Sequence, residues 1–519
     1  MNHQMKLSIF SILHETRLRA VAAVACLAAV LVLGSPALSY ACGGFFCSFD
    51  RPVNQVGEQI LFSVEGTKVT AHIQIQYQGE AEDFSWVLPL PSVPDVAVGV
   101  DELFAALRAT TDPRFEIKWE NEDGCNYTNN CCAMMEMDGN APAAGGAGGG
   151  EVTVLKEGAV GPYNFQVVES DDGNALFDWL NENGYDQSPE AKNLIEHYVE
   201  TDFVFIAVKL SKDNEAGDIR PLIVEYEAPT LACIPIRLTS IAAQPDMPIF
   251  SWVLSDARAI PLNFFHVILN PKAYDWLSCG APAGQGDYCS GYNANGVDCQ
   301  AEYIKLVSDA ADSAEGRGFV TEFAGDSQIM EGALYTEGQY DTEPLKSMET
   351  PASFLQKMME LNFPRFSVLI QELIRDNIPQ PDASELPEQC QSEAQFYTWN
   401  MEECLKYMPE EWTFDPIAFA QDIEDRFVKP MKDAQALFTK HSYMTRLFTT
   451  MSPDEMTRDP LFAFNSDLPD VSNIHTITAK ATCEGNNNWT ATSINLIFAD
   501  GDEVLLEGEF EQCSGGGPI

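Results

Sequence analysis

Basic side chains are scarce in this chain of 519 residues: 30 lysines and arginines stand against 78 aspartates and glutamates, a formal net charge of −48 at pH 7. A surface of that sign repels phosphate backbones and anionic bilayers, so nucleic acid is excluded as a partner. Histidine is scarcer still, and beyond residue 41 only His72, His197, His266, His441 and His475 occur. His266 and His475 fall in strand-like runs, where a structural role is expected ahead of general-base work. Gly-x-Ser-x-Gly, His-Glu-x-x-His and Gly-x-x-x-x-Gly-Lys are missing, which disfavours the familiar hydrolases and P-loop enzymes. The glycine-rich run at 145–150 lacks the strand–loop–helix setting of a nucleotide site. With no catalytic motif found, an enzyme is not the expected reading. Past residue 33 no stretch approaches the ~18 uninterrupted apolar residues of a membrane span, so no transmembrane helix is predicted.

What is present begins with a leader. Lys6, Arg17 and Arg19 precede an apolar run from Ala20 to Leu33, and Ser39-Tyr-Ala41 carries small residues at alternate positions, the pattern of a secretory signal peptide cleaved after Ala41. Its removal takes away three basic residues and one acidic residue, so the net charge of −48 becomes −50. The predicted location is outside the cytoplasm: the periplasm, the outer surface or the medium. Cys42 directly after the cleavage site raises lipid attachment as an alternative, but Ser39 stands where lipoprotein signals prefer Leu, and Tyr40 is bulky. The acidity reads as a solvated surface suited to a salty medium. Calcium binding by clustered Asp and Asn oxygens is the sharper alternative.

Of 14 cysteines, Cys26 lies in the leader. The rest are disulfide candidates in an exported chain. Spacing makes Cys42 with Cys47, Cys390 with Cys404, and Cys483 with Cys513 the simplest pairs; seven cysteines then remain and one thiol is odd.

The pattern of elements predicts an α+β fold of two or three packed units. A mixed sheet with packed helices is expected over 42–270, interrupted by a Cys/Gly-rich insertion at 122–150. A Cys-rich loop at 271–300, a helical region over 301–464 and a C-terminal β-hairpin region over 465–519 follow. Val69, Ala71, Ile73, Ile75 and Tyr77 alternate with polar residues as in a half-buried strand, and Phe203 to Leu210 is apolar enough for a central one. Strands are also expected at Gln59–Val64, Leu222–Tyr226, Ile234–Leu238, Phe250–Leu254 and Phe264–Leu269. Helical spacing marks Asp101–Arg108, Asn174–Asn183, Pro189–Glu200, Glu302–Asp312, Pro351–Leu361, Phe366–Asn377, Ile417–Val428 and Ala434–Thr449. Asn473–Thr482, Thr490–Ala499 and Glu503–Phe510 read as strands, with Asp500-Gly501 as a turn. Phe-Ser-Trp-Val-Leu occurs at 84–88 and again at 250–254, which raises an internal duplication. Trp86 and Trp252 are read as sheet-packing aromatics, with a groove lining as the rival.

Two segments carry metal-ligand chemistry. Cys131, Cys132, Met134, Met135 and Met137 combine thiols and thioethers, soft ligands that favour copper(I), although disulfide cysteines beside ordinary methionines are the reading expected ahead of it. Asp171 and Asp172 offer oxygens to calcium but lack the twelve-residue EF-hand pattern, and they equally suit the cap of the helix that follows.

Cys42-Gly-Gly-Phe-Phe-Cys47, Val56-Gly-Glu-Gln-Ile60, Tyr77-Gln-Gly79 and Asp83-Phe-Ser-Trp-Val-Leu-Pro-Leu-Pro91 together resemble the exported bacterial proteins grouped as domain of unknown function 2330. The resemblance runs on through Trp179 and Leu180, Phe203 to Leu210, and Leu238-Thr-Ser240 into Trp252, and Tyr443 to Pro453 through Asp459-Pro460 to His475 looks like the later part of longer members. It implies export and no assigned activity, and it transfers no functional residue. The expectation is an exported, disulfide-stabilised cell-envelope or periplasmic protein with a binding or structural role, its partner an envelope protein or glycan. A metal-binding protein or metal-dependent enzyme is the alternative.

Overall fold

The structure, a computed structural model, describes residues 54–78, 84–122, 125, 152–185, 187–211, 219–228, 232–282, 298–378, 380–408, 415–483 and 490–510. The chain divides into two units, Met1–Ala41 and Cys42–Ile519, and all described residues belong to the second.

An eight-stranded sheet organises that unit. Its order runs from Phe265–His266 at one edge through Gly318–Asp326, Tyr443–Met451, Met247–Ser255, Asn54–Glu65, Lys68–Gln78 and Leu222–Glu227 to Asp95–Val98 at the other. At its centre Asn54–Glu65 and Met247–Ser255 run parallel, Ser63 opposite Leu254. The flanking pairs are antiparallel. Glu65 and Lys68 close the first hairpin across Gly66, whose φ of +63° suits a residue without Cβ. The period of two between Val69 and Ile75 has a direct cause: Val69, Ala71, Ile73 and Ile75 face a second sheet, while His72 and Gln74 point the other way.

That second sheet is four-stranded and antiparallel, ordered Ser85–Leu90, Val204–Leu210, Tyr163–Glu169, Thr153–Val160. Trp86, Leu88, Phe165, Val167, Ile206 and Val208 share one core with Ile60, Phe62, Ile73, Val224, Ile249 and Val253 of the large sheet. On its outer face, Val87, Val168, Phe205 and Ala207 carry the helices Gly173–Glu182 and Ala191–Val199 through Leu176, Trp179, Leu180, Ile195 and Tyr198. Beyond the other face of the large sheet, Leu61, Phe250, Trp252, Leu254 and Phe448 pack under Leu103, Phe104, Phe354, Leu369, Phe419 and Phe438. The layers are therefore helix, sheet, sheet, helix, an α+β arrangement.

A five-stranded sheet, Ala281–Pro282, Arg114–Asn121, Ile474–Thr482, Ala491–Ile497, Glu503–Phe510, has its own core of Ile117, Trp276, Ile477, Ala479 and Ile494. Cys483 is bonded to Cys125, not to Cys513. Arg114–Asn121 and Ile474–Thr482 pair in parallel with Asn121 opposite Ala481, so the cysteines just beyond them arrive together. Cys279 is joined to Cys299 and Cys390 to Cys404, and Cys233 is a free thiol. Cys42, Cys47, Cys131, Cys132 and Cys513 lie outside the described residues, as do Met134, Met135 and Met137.

The region 301–464 is not purely helical. Gly318–Asp326 and Tyr443–Met451 are inner strands of the large sheet, and the expected helix over Ala434–Thr449 stops at Lys440. Tyr443–Met451 is buried along nearly its whole length, Thr445, Arg446, Thr449 and Thr450 included, so its polar and apolar residues do not alternate and no period of two shows. Ile236–Thr239 is a turn of helix rather than a strand, and the strand expected at Phe264–Leu269 reduces to Phe265–His266. The two Phe-Ser-Trp-Val-Leu runs occupy unlike places: Phe84, Trp86 and Leu88 face the core between the sheets, whereas Phe250, Trp252 and Leu254 face the helices. Both tryptophans are buried.

Candidate functional site

Parallel neighbours at the middle of a sheet end side by side, and the crevice beyond their carboxyl ends is where open α/β sheets place ligands. Here Ser63 and Glu65 stand at the end of Asn54–Glu65, and Ser255 and Asp256 end Met247–Ser255. The adjacent strand Tyr443–Met451 runs the other way, so its start, with His441 and Ser442 before it, arrives at the same rim.

The rim is shaped by short local devices. Ser255 Oγ donates to the carbonyl of Ala257 at 2.5 Å and closes the turn that carries Asp256. Asp326 caps the turn Ser327–Met330 by accepting from the Gln328 N–H at 2.9 Å. Ser327, fully buried, donates to the carbonyls of Phe438 and His441 and pins the end of the helix Lys429–Lys440. A cleft of about 330 Å³ results, lined by Asp256, Gln328, Glu331, Phe438, Thr439, Lys440, His441 and Ser442. Phe438 and His441 form its buried floor, and the other six are exposed.

His441 is the group that gives the cleft chemistry. Its Nε2 lies 2.7 Å from Ser63 Oγ in a buried hydrogen bond. Burial holds its pKa below the usual imidazole value, with Lys440 acting the same way and Glu65 and Asp256 opposing. The ring is therefore neutral near pH 7. Lys440 is paired with Glu65, whose carboxyl is held low first by that bond. Ser63 is 1% exposed and does not line the cleft, so it positions the ring rather than meeting a ligand. The arrangement is half of a nucleophile–base pair whose hydroxyl is sealed, which suits binding better than acyl transfer.

Two ion networks with buried arginines hold elements together. Arg446, 1% exposed, contacts Glu322 through Nε and Asp112 through Nη1, each at 2.5 Å, and lies over the rings of Trp252 and Phe250. Tyr303 donates to Glu322 at 2.7 Å. Arg220 pairs with Glu372, which also takes Arg426, and Tyr163 donates to the Arg220 carbonyl at 2.6 Å.

Asp172 accepts from the N–H groups of Asn174 and Ala175, so its oxygens cap the helix Gly173–Glu182, and Asp171 is an exposed neighbour. Among the described residues no group of three or more His, Cys, Asp or Glu side chains is placed to hold a metal ion, and no helix is long and apolar enough to cross a membrane. His475 is exposed and stacks on Phe115, His266 sits on the edge strand, and His72 is buried with Nδ1 unpartnered. Ser63, Asp256, Gln328, Glu331 and Lys440 carry no sequence motif; of the cleft, only His441 is visible beforehand, as one of five histidines.

The model of a family described as an uncharacterized protein conserved in bacteria, domain of unknown function 2330, matches residues 36–331. That span includes Ser63, Asp256, Gln328 and Glu331 and ends before Lys440 and His441. No curated protein and no solved structure matches the chain.

Proposed function

We propose that this chain, which belongs to the uncharacterized bacterial family of domain of unknown function 2330, is an exported, disulfide-stabilised binding protein of the cell envelope or periplasm. Its ligand is a small polar molecule taken into the cleft at the carboxyl ends of Asn54–Glu65 and Met247–Ser255. The observation that carries this is His441, buried on the cleft floor and fixed by Ser63. A cleft with an apolar floor and a few convergent polar groups is the usual form of a small-ligand site, and ~330 Å³ sits at the small end of that range. Export is supported by the leader pattern and by the three disulfides among the described residues.

A thermal-shift screen of the mature protein against small amines, acids, sugars and peptides tests the reading. A ligand of the cleft raises the midpoint, the more so the further its concentration exceeds its Kd. His441→Ala removes that shift and Ser63→Ala reduces it, with both variants folded by circular dichroism. If every hit shifts wild type and His441→Ala equally, the cleft is not the binding site.

A further inference from the structure

We propose that the cleft takes a small primary amine or guanidine carrying a short apolar segment. This rests on the binding reading above and adds the ligand class. The charge of the cleft is unbalanced. Asp256 and Glu331 line the cleft, and among the described residues neither carboxylate has an ion-pair partner. Lys440, the one cation in the lining, is engaged by Glu65, so it neutralises another carboxylate instead of offering itself to an anion. His441 is 5% exposed, its Nε2 is taken by Ser63, and no described group bonds its Nδ1, which leaves that nitrogen to the cleft. Because burial keeps the ring neutral, it adds a hydrogen-bonding group without adding positive charge. Gln328 and Ser442 supply further oxygens at the rim, and Phe438 gives the floor an apolar surface.

An anion entering this space meets two carboxylates and no free cation. A cation with N–H donors meets acceptors on two sides, and its methylenes cover Phe438. The net charge of −48 draws small cations toward the surface as a whole. A bare divalent ion fits less well, since the described carboxylates form no cluster able to hold one.

The test is calorimetric titration of the mature protein in 150 mM salt with n-butylamine, putrescine and agmatine, against n-butyrate, n-butanol and calcium chloride. The amines bind and the other three do not. Asp256→Asn with Glu331→Gln weakens the amines at least tenfold. Glu349→Gln with Glu509→Gln, which removes two exposed carboxylates outside the lining, leaves them within about twofold. Butyrate binding as tightly as butylamine, calcium binding that the cleft variant abolishes while amines fail, or equal losses in the two double variants each overturn the amine assignment. Should the amines fail while another ligand binds and is lost in His441→Ala, the ligand class falls and the binding reading stands. Should His441→Ala affect no ligand, both fall.

Discussion

Glu58 and His72 show how single buried groups set the pH response of the large sheet. Glu58 lies opposite Ile249 and Ile75, with Gln55 donating to it at 3.4 Å, and burial pushes its pKa up to about 7. Unfolded, it ionises near 4.5. Between those values the folded state holds the extra proton, so stability falls as pH rises, by ~3 kcal/mol in all. His72 acts with the opposite sign. Burial takes its pKa down to about 4 from 6.5, so the unfolded state binds more protons in that window and stability rises with pH by a similar ~3 kcal/mol. From about 4.5 to 6.5 the two contributions nearly cancel. Glu58→Gln therefore exposes the histidine's slope: the variant's stability climbs from pH 4 to 6.5 and exceeds wild type above pH 7 by up to ~3 kcal/mol. Urea unfolding of both proteins at pH 5 and pH 8 checks this. An identical difference at the two pH values would mean that Glu58 does not titrate as described.

At the scale of elements, the five-stranded sheet depends on a link the chain makes late. Cys125 and Cys483 are separated by 358 residues, and their bond closes the parallel pair Arg114–Asn121 with Ile474–Thr482. Closing so long a loop stabilises mainly by restricting the unfolded chain, by about 2–5 kcal/mol. Cys125→Ser with Cys483→Ser lowers the stability of the five-stranded sheet by that amount, and hydrogen exchange quickens more in 474–482 and 491–497 than in Asn54–Glu65 and Met247–Ser255. Uniform acceleration across both sheets would contradict a locally acting link.

What the sequence discloses follows the same geometry. Val69 to Ile75 is legible because one face meets a core and the other carries His72 and Gln74. Glu503–Phe510 is legible because Asp500-Gly501 turns it back on its neighbour, Gly501 having φ of +87°. Tyr443–Met451 is not, since burial on both faces erases the alternation and the helix before it supplies a false continuation. Arg114–Asn121 alternates, yet its partner comes from 474–482, so no adjacent run announces the pair. Thr153–Val160 is exposed over most of its length and lacks any apolar stripe. The cleft is hidden for a related reason: Ser63, Asp256 and His441 come from three distant segments that only the central strand order brings to one rim.

For the whole molecule, the helix–sheet–sheet–helix stack leaves one rim where parallel strands end at the centre, in a chain of net charge −48. The role proposed for this cleft of polar rim and apolar floor is the binding of a small molecule. Native mass spectrometry of the mature protein purified from its own host, beside His441→Ala prepared in the same way, tests that claim most directly. The expected result is a chain beginning at Cys42 with a small-molecule adduct that wild type retains and the variant loses. An adduct kept equally by both proteins, or none on wild type even after the cleft is offered amines, would contradict it.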